Sequence, residues 1–238
     1  MKILAIDTTA SPVSAAVLKD GALCGEFFLN VKTTHSQTLM PVVSALLKNT
    51  GTEIGEIDVF AVNAGPGSFT GVRIGVASVK GMTLPLGKPC ACVSTLESMA
   101  YNLPYKSGIV CSVMDARCKQ VYNALFAVDN GKITRLTEDR ALSIEELGIG
   151  LGKYNDTIYL VGDGARLCFE AFEGKIQNIE LMPENLRYQR AYGTARAAEK
   201  MAEEGRLCSS DELMPLYLRL PQAERELKAR LEKNNKKE

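Results

Sequence analysis

The sequence has no tryptophan and one histidine, His35, in 238 residues. One imidazole cannot supply a histidine-rich ligand set for a catalytic metal. A lone histidine at a helix start is more often structural than a catalytic base, and His35 is read that way. Net charge is missing too: 28 Lys and Arg balance 28 Asp and Glu. No global field therefore draws in nucleic acid or an anionic membrane, and any contact with RNA must be local or come through a partner. There is no Cys-x-x-Cys pair. The seven cysteines (Cys24, Cys90, Cys92, Cys111, Cys118, Cys168, Cys208) are an odd set that falls mostly in apolar runs, where a thiol behaves as a small hydrophobe. They are expected to be reduced and buried. No run approaches the roughly 18 apolar residues of a membrane span. The apolar stretch after Lys2 ends at Asp7, too short for a signal-peptide core. A cytoplasmic protein without a membrane role is expected. What the chain does have is 46% apolar and 24% charged residues, enough for one sizeable core or two small ones without metals or staples.

Two stretches share one pattern. LAIDTTASPVSAAVLKDGALCGE, from Leu4, and CSVMDARCKQVYNALFAVDNGKITR, from Cys111, each run as an apolar strand ending in Asp, a polar bend, a second strand, a Gly-containing turn and a third strand. Asp7 and Asp115 mark equivalent bends. A half-length repeat of this kind predicts two related subdomains, each led by a three-stranded meander and completed by helices. In the first half, THSQTLMPVVSALLKNTG spaces Leu39, Met40, Val43, Leu46 and Leu47 as an amphipathic helix with Gly51 at its C-terminal cap. In the second, a strand TIYLV precedes GDGA and a helix runs from about Gly193 to Glu204.

Between the meanders lies NAGPGSFTGVRIG, Asn63 to Gly75. It joins an apolar strand to a helix, the usual place of a phosphate loop. It is not a Walker loop, because no Gly-Lys-Ser/Thr follows at the required spacing, and it misses the dinucleotide fingerprint by one position. Ser68 is a plausible N-cap for the helix, which then carries Gly71, Gly75 and Ser78 on one track and Val72, Val76 and Val79 on another. A helical glycine costs up to about 1 kcal/mol relative to alanine, so this pair asks for a close backbone contact. Such a helix is either buried within its own chain or pressed against a second protein.

The motifs AIDTT, HSQTLMP, GPGSFTGVRIGVASVKG, VSTLE, VGDGA and YLRLPQAE together resemble the TsaB (YeaZ) family over nearly the whole chain. The resemblance implies an α/β fold of two duplicated subdomains of the actin-like, sugar-kinase-like ATPase type, the second one reduced. Residues 1–105 would form the first subdomain, with about 209–225 packing back on it. Residues 106–208 would form the second, and 226–238 a solvated charged tail. The implied function is that of a non-catalytic scaffold and activator in tRNA threonylcarbamoyladenosine biosynthesis. Its partners would be a TsaD-family catalytic paralogue, a TsaE-family P-loop ATPase, a second copy of itself when alone, and tRNA only through the complex.

The resemblance also fixes where chemistry would sit. Two metal-binding histidines of the catalytic paralogue correspond to Thr95 and Met99 here, so the metal site is expected to be absent. In actin-like ATPases, phosphate and adenosine positions correspond to Asp7, Thr8 and Thr9, to Asp115–Ala116–Arg117 and to Gly162–Asp163–Gly164. No cofactor of its own is expected, which leaves room for a nucleotide at a joint interface. The expected partner surface comprises Ser36, Leu39, Met40, Val43, Leu46, Gly71, Val72, Gly75, Val76 and Val79. A free-standing actin-like ATPase or small-molecule kinase is the competing expectation.

Overall fold

The structure is a computed structural model that describes residues 1–31 and 33–219. Its first strands, β1 (Lys2–Asp7), β2 (Val13–Lys19) and β3 (Ala22–Leu29), form an antiparallel meander. A helix, α1 (His35–Asn49), leads to β4 (Val59–Gly65), and α2 (Phe69–Thr83) leads to β5 (Cys90–Ser94) and α3 (Thr95–Ala100). Both β4 and β5 are parallel to β1, giving the order β3-β2-β1-β4-β5.

The second half repeats the plan. It contains β6 (Gly108–Asp115), β7 (Gln120–Asp129), β8 (Lys132–Arg135), β9 (Arg140–Ser143), α4 (Ile144–Leu151), β10 (Ile158–Val161), α5 (Ala165–Phe172), β11 (Ile179–Leu181), α6 (Glu184–Arg187) and α7 (Ala191–Glu203). Its sheet order is β8-β7-β6-β10-β11, with β9 also on β7. In both sheets the leading strand is central, the meander lies to one side and two parallel strands to the other. Asp7 and Asp115 end the equivalent strands β1 and β6. The expected repeat is present, and the fold is the duplicated architecture of actin-like and sugar-kinase-like ATPases. Its second copy is reduced: β10 and β11 have 4 and 3 residues where β4 and β5 have 7 and 5.

The first sheet is covered on both faces, which is why β1, β2 and β4 read as continuous apolar runs. On one face, Leu4, Ile6, Val13 and Val62 meet Leu39, Val43 and Leu46 of α1 and Val72, Val76 and Val79 of α2. On the other, Ile3 and Leu18 meet Ala191, Ala195 and Ala198 of α7. The expected division put α7 within the second subdomain, yet it lies against the first sheet. Its alanines make a narrow stripe that lets the helix approach closely. Glu26 of β3 fixes its start, accepting from the Tyr192 N–H at 3.0 Å and from Arg190 Nε at 3.0 Å.

Beyond α7, Cys208 pairs with Cys90 in an antiparallel bridge and Leu213 is buried in the core beneath α1 and α2. Leu216 N–H donates to the Ala64 carbonyl at 2.7 Å, carrying the chain across the end of β4. The remainder of the expected back-packing segment, 220–225, and the charged tail 226–238 lie outside the described residues. Among the described residues, no helix is long and apolar enough to cross a membrane.

Candidate functional site

The glycine loop turns inward. A β-carbon on Gly67 would lie 2.5 Å from the Thr9 carbonyl oxygen, one on Gly71 2.0 Å from the Thr8 carbonyl oxygen, and one on Gly75 2.6 Å from Thr8 Oγ1. Gly65, at φ +124°, faces the Leu216 carbonyl oxygen, which a β-carbon there would approach to 2.4 Å. The bend after β1 and the C-terminal segment thus take up the space that these glycines leave open. Ser68 caps α2 by accepting from the Gly71 N–H at 3.3 Å, and Ser68 N–H itself donates to Thr9 at 2.7 Å. In the second half, a β-carbon on Gly162 would lie 1.8 Å from the Val113 carbonyl oxygen and one on Gly164 3.0 Å from the Asp115 nitrogen. In the direction where a β-carbon would project, each of these glycines meets atoms of the chain itself, mostly backbone, while Thr9, Gly67 and Ser68 also border open space.

Asp7 is equally committed. It is buried, accepts from the Thr9 N–H at 2.6 Å and the Thr9 hydroxyl at 2.8 Å, and also accepts from Asn63 Nδ2. Loss of solvation raises its carboxyl above the usual range, opposed by these hydrogen bonds. Thr8 and Thr9 are buried with it. Thr95 and Met99, the positions that the resemblance sets against metal-binding histidines, are fully buried as well. Among the described residues no cluster of His, Cys, Asp and Glu could hold a metal ion.

A cleft of about 680 Å³ nonetheless opens between the two halves, lined by residues of both. Asp115 and Asp163 stand on its second-half wall, where Asp163 accepts from the Asp115 N–H at 3.3 Å. Asp163 is exposed to the cleft at its edge, and the packing around its inner side, with the Asp115 charge adding to it, pushes its carboxyl up to about 6, an effect that the solvent in the cleft damps. Arg117 lines the same wall, its N–H donating to Asp115 at 2.7 Å. On the first-half wall, His35 Nε2 is paired with the Ala10 carbonyl at 2.7 Å, tying the start of α1 to the bend after β1. The C-terminal segment crosses the opening. Tyr217 stacks on Phe69 with ring centroids 5.0 Å apart, accepts from Arg73 Nε at 2.8 Å, and is followed by Arg219, whose Nη1 reaches the Ala116 carbonyl at 3.4 Å. This Phe69–Arg73–Tyr217 cluster was not legible beforehand, since 144 positions separate Arg73 from Tyr217.

The expected partner surface needs correction. Leu39, Val43, Leu46, Val72, Val76 and Val79 are buried in the chain's own core, and Gly71 and Gly75 press on Thr8. The first sheet supplies an apolar face of its own, so the apolar stripes of α1 and α2 go there first. Of the ten residues only Ser36 and Met40 are exposed. The outward faces are instead Ser36, Met40, Pro41 and Ser44 on α1, and Arg73, Ala77 and Gly81 on α2, with Ile74 and Ser78 half-buried beside them. The two helices do lie side by side on the sheet.

A family model described as TsaD, tRNA N6-adenosine threonylcarbamoyltransferase, matches residues 29–225. The tRNA threonylcarbamoyladenosine biosynthesis protein TsaB of Escherichia coli is 32% identical over 222 residues, covering 92% of this chain and 95% of that protein. The protein of the same name from Bacillus subtilis is 34% identical over 146 residues, covering 61% of this chain and 64% of its own length. Among solved structures, YeaZ from Pseudomonas aeruginosa superposes with a TM-score of 0.79 at 25% identity, covering 91% of this chain and 99% of that one. Matched nearly end to end by TsaB and YeaZ proteins in sequence and in fold, the chain belongs to the TsaB (YeaZ) family.

Proposed function

We propose that this chain acts in tRNA threonylcarbamoyladenosine biosynthesis as a non-catalytic subunit that holds and activates a TsaD-family catalytic paralogue. The observation that carries this reading is the state of the old phosphate-binding positions. Asp7 is buried and hydrogen-bonded within its own turn, and the flanking glycines pack closely on Thr8, Thr9 and Leu216. Thr95 and Met99 offer no imidazole where the paralogue has metal ligands. What such a chain can still contribute is surface.

In this reading the outward faces of α1 and α2 dock on the equivalent helices of the paralogue in a pseudo-symmetric four-helix contact. A TsaE-family ATPase joins that assembly, and tRNA is met only through it. Without the paralogue the same face pairs with a second copy. The chain holds no cofactor of its own, and any nucleotide sits at the joint interface. The competing reading, a free-standing ATPase or small-molecule kinase, draws on Asp115, Asp163 and Arg117 around an open cleft.

Turnover separates the two. Purified chain given ATP and magnesium should release no phosphate above background, and tRNA threonylcarbamoylation should require the paralogue in the same tube. Sustained ATP turnover by the chain alone, or transfer to tRNA without the paralogue, would overturn the proposal.

A further inference from the structure

The reduced half carries a second cavity on its outer surface. A groove of about 1010 Å³ runs between α4 and α5, with Ile144, Leu167, Ala171, Phe172 and Ile176 along it. Gly148 makes its floor possible: a β-carbon there would lie 2.9 Å from the Phe172 ring, so the glycine lets that ring pack closely on α4. Ile149 is 67% exposed and Leu167 41% exposed at its edges. Apolar surface gathered in this way marks a contact site more often than bare surface.

Among the described residues the rim is mostly basic. Lys119, Lys153 and Lys175 line the groove against a single acidic liner, Glu145. Among the described residues none of the three lysines forms an ion pair. Glu146 stands next to the groove as well, its carboxylate held on the Ser143 N–H at 2.8 Å in the capping box of α4, so the three ammonium groups face two carboxylates and the balance stays positive. One end of the groove is a turn in which Arg117, Cys118 and Lys119 all have left-handed backbone, at φ 65°, 53° and 57°. Three such non-glycine residues in a row are uncommon and are held only by their surroundings. Here the Lys119 carbonyl accepts from the Ile144 N–H at 3.2 Å, fixing the turn to the start of α4. Arg117 of that turn lines the inter-subdomain cleft, while Cys118 and Lys119 line the groove.

We propose that the groove between α4 and α5 receives an acidic amphipathic helix of a partner protein. The apolar floor takes the partner's hydrophobic stripe, and carboxylates on either side of that stripe meet the three lysines. Apolar contact supplies affinity and the charges supply selectivity and a fast encounter.

The probe is a fluorescein-labelled synthetic helix with leucines on one face and glutamates flanking them, read by anisotropy on the full chain. Its control has lysines in place of the glutamates. The acidic peptide should bind at least about tenfold more tightly than the basic one, and less tightly as salt rises. Lys153→Glu with Lys175→Glu should reverse the preference, and Ile149→Ser with Leu167→Ser should weaken the acidic peptide without moving the melting curve. If a variant folds poorly, the amide resonances of residues 144–153 and 165–176 in the wild-type chain decide, and these should shift on titration. Equal binding of the two peptides, or shifts confined to other residues, would overturn the proposal. So would sedimentation showing that Ile149→Ser dissolves a self-association, which would assign the groove to a second copy.

Discussion

The Thr8 hydroxyl donates to the Gly71 carbonyl at 2.7 Å, and the Thr8 carbonyl oxygen stands 2.0 Å from where a β-carbon on residue 71 would be. The first turn of α2 is therefore locked to the bend after β1 by one hydrogen bond and one close backbone approach. Gly71→Ala should cost stability, because the obstacle is backbone and cannot rotate away. Overpacking in a filled core typically costs about 1 to 3 kcal/mol, and this site belongs at the upper end. Urea unfolding gives the number. A wild-type midpoint for Gly71→Ala would mean that α2 does not rest on Thr8 as described.

This contact also marks the limit of what was legible in sequence. Glycines at 71 and 75 announce a close approach, but periodicity does not name the neighbour, and Thr8 lies 63 positions away from Gly71. The stripe of Leu39, Val43 and Leu46 was legible as apolar, yet only the sheet decides that it is core and not interface. The two repeated meanders were more accessible, since Asp7 and Asp115 each close a strand that opens one. Helix α4 was missed although Ser143 and Glu146 form a capping box, a signal present in the sequence as S-I-E-E. The strand β11, 3 residues long, is too short to show a period.

Asp163 gives a pH signature. Its folded-state carboxyl is raised from 3.8 to about 6, so its contribution favours folding below the ordinary carboxylate range and is lost as pH rises towards about 6. Asp163→Asn removes that loss while its side-chain oxygen can still accept from the Asp115 N–H. The substitution should therefore stabilise the protein more at about pH 7 than at about pH 4. Denaturant midpoints of both proteins at the two pH values test this. A difference that does not change with pH would show that Asp163 titrates as an ordinary surface carboxyl.

The cysteines should divide into two reactivity classes. The expectation that the cysteines are buried fails for Cys24 and Cys118, which are exposed on the β3 edge and in the turn after β6, whereas burial raises Cys92 to about 11 and Cys168 to about 12 and also raises Cys90, Cys111 and Cys208. Thiolate is the reactive form, so at about pH 8 iodoacetamide should label Cys24 and Cys118 first. The other five should react only on unfolding. Peptide mass spectrometry of the native protein resolves the sites, and fast native labelling of Cys111 or Cys168 would contradict the packing of the second core.

The outward face of α1 and α2 is where stability and binding should come apart. Met40 is 45% exposed and Ala77 is exposed on the neighbouring helix, so neither side chain holds the fold together. Surface changes of this kind usually stay within about 0.5 kcal/mol. Met40→Glu with Ala77→Arg would instead place two charges, one of each sign and both long, in the middle of the proposed four-helix contact. Binding to the TsaD-family paralogue should weaken by about tenfold to a hundredfold, equivalent to about 1.4 to 2.8 kcal/mol. The proposed self-association of the chain should be lost as well, because it would use the same face. Calorimetric titration with the paralogue, sedimentation of the chain alone and a melting curve together give the answer. Gly71→Ala serves as the opposite control, with lost stability and binding reduced only by its unfolded fraction. Wild-type affinity in the double variant would move the contact away from α1 and α2, and a large drop in melting temperature would mean that Met40 or Ala77 is part of the core.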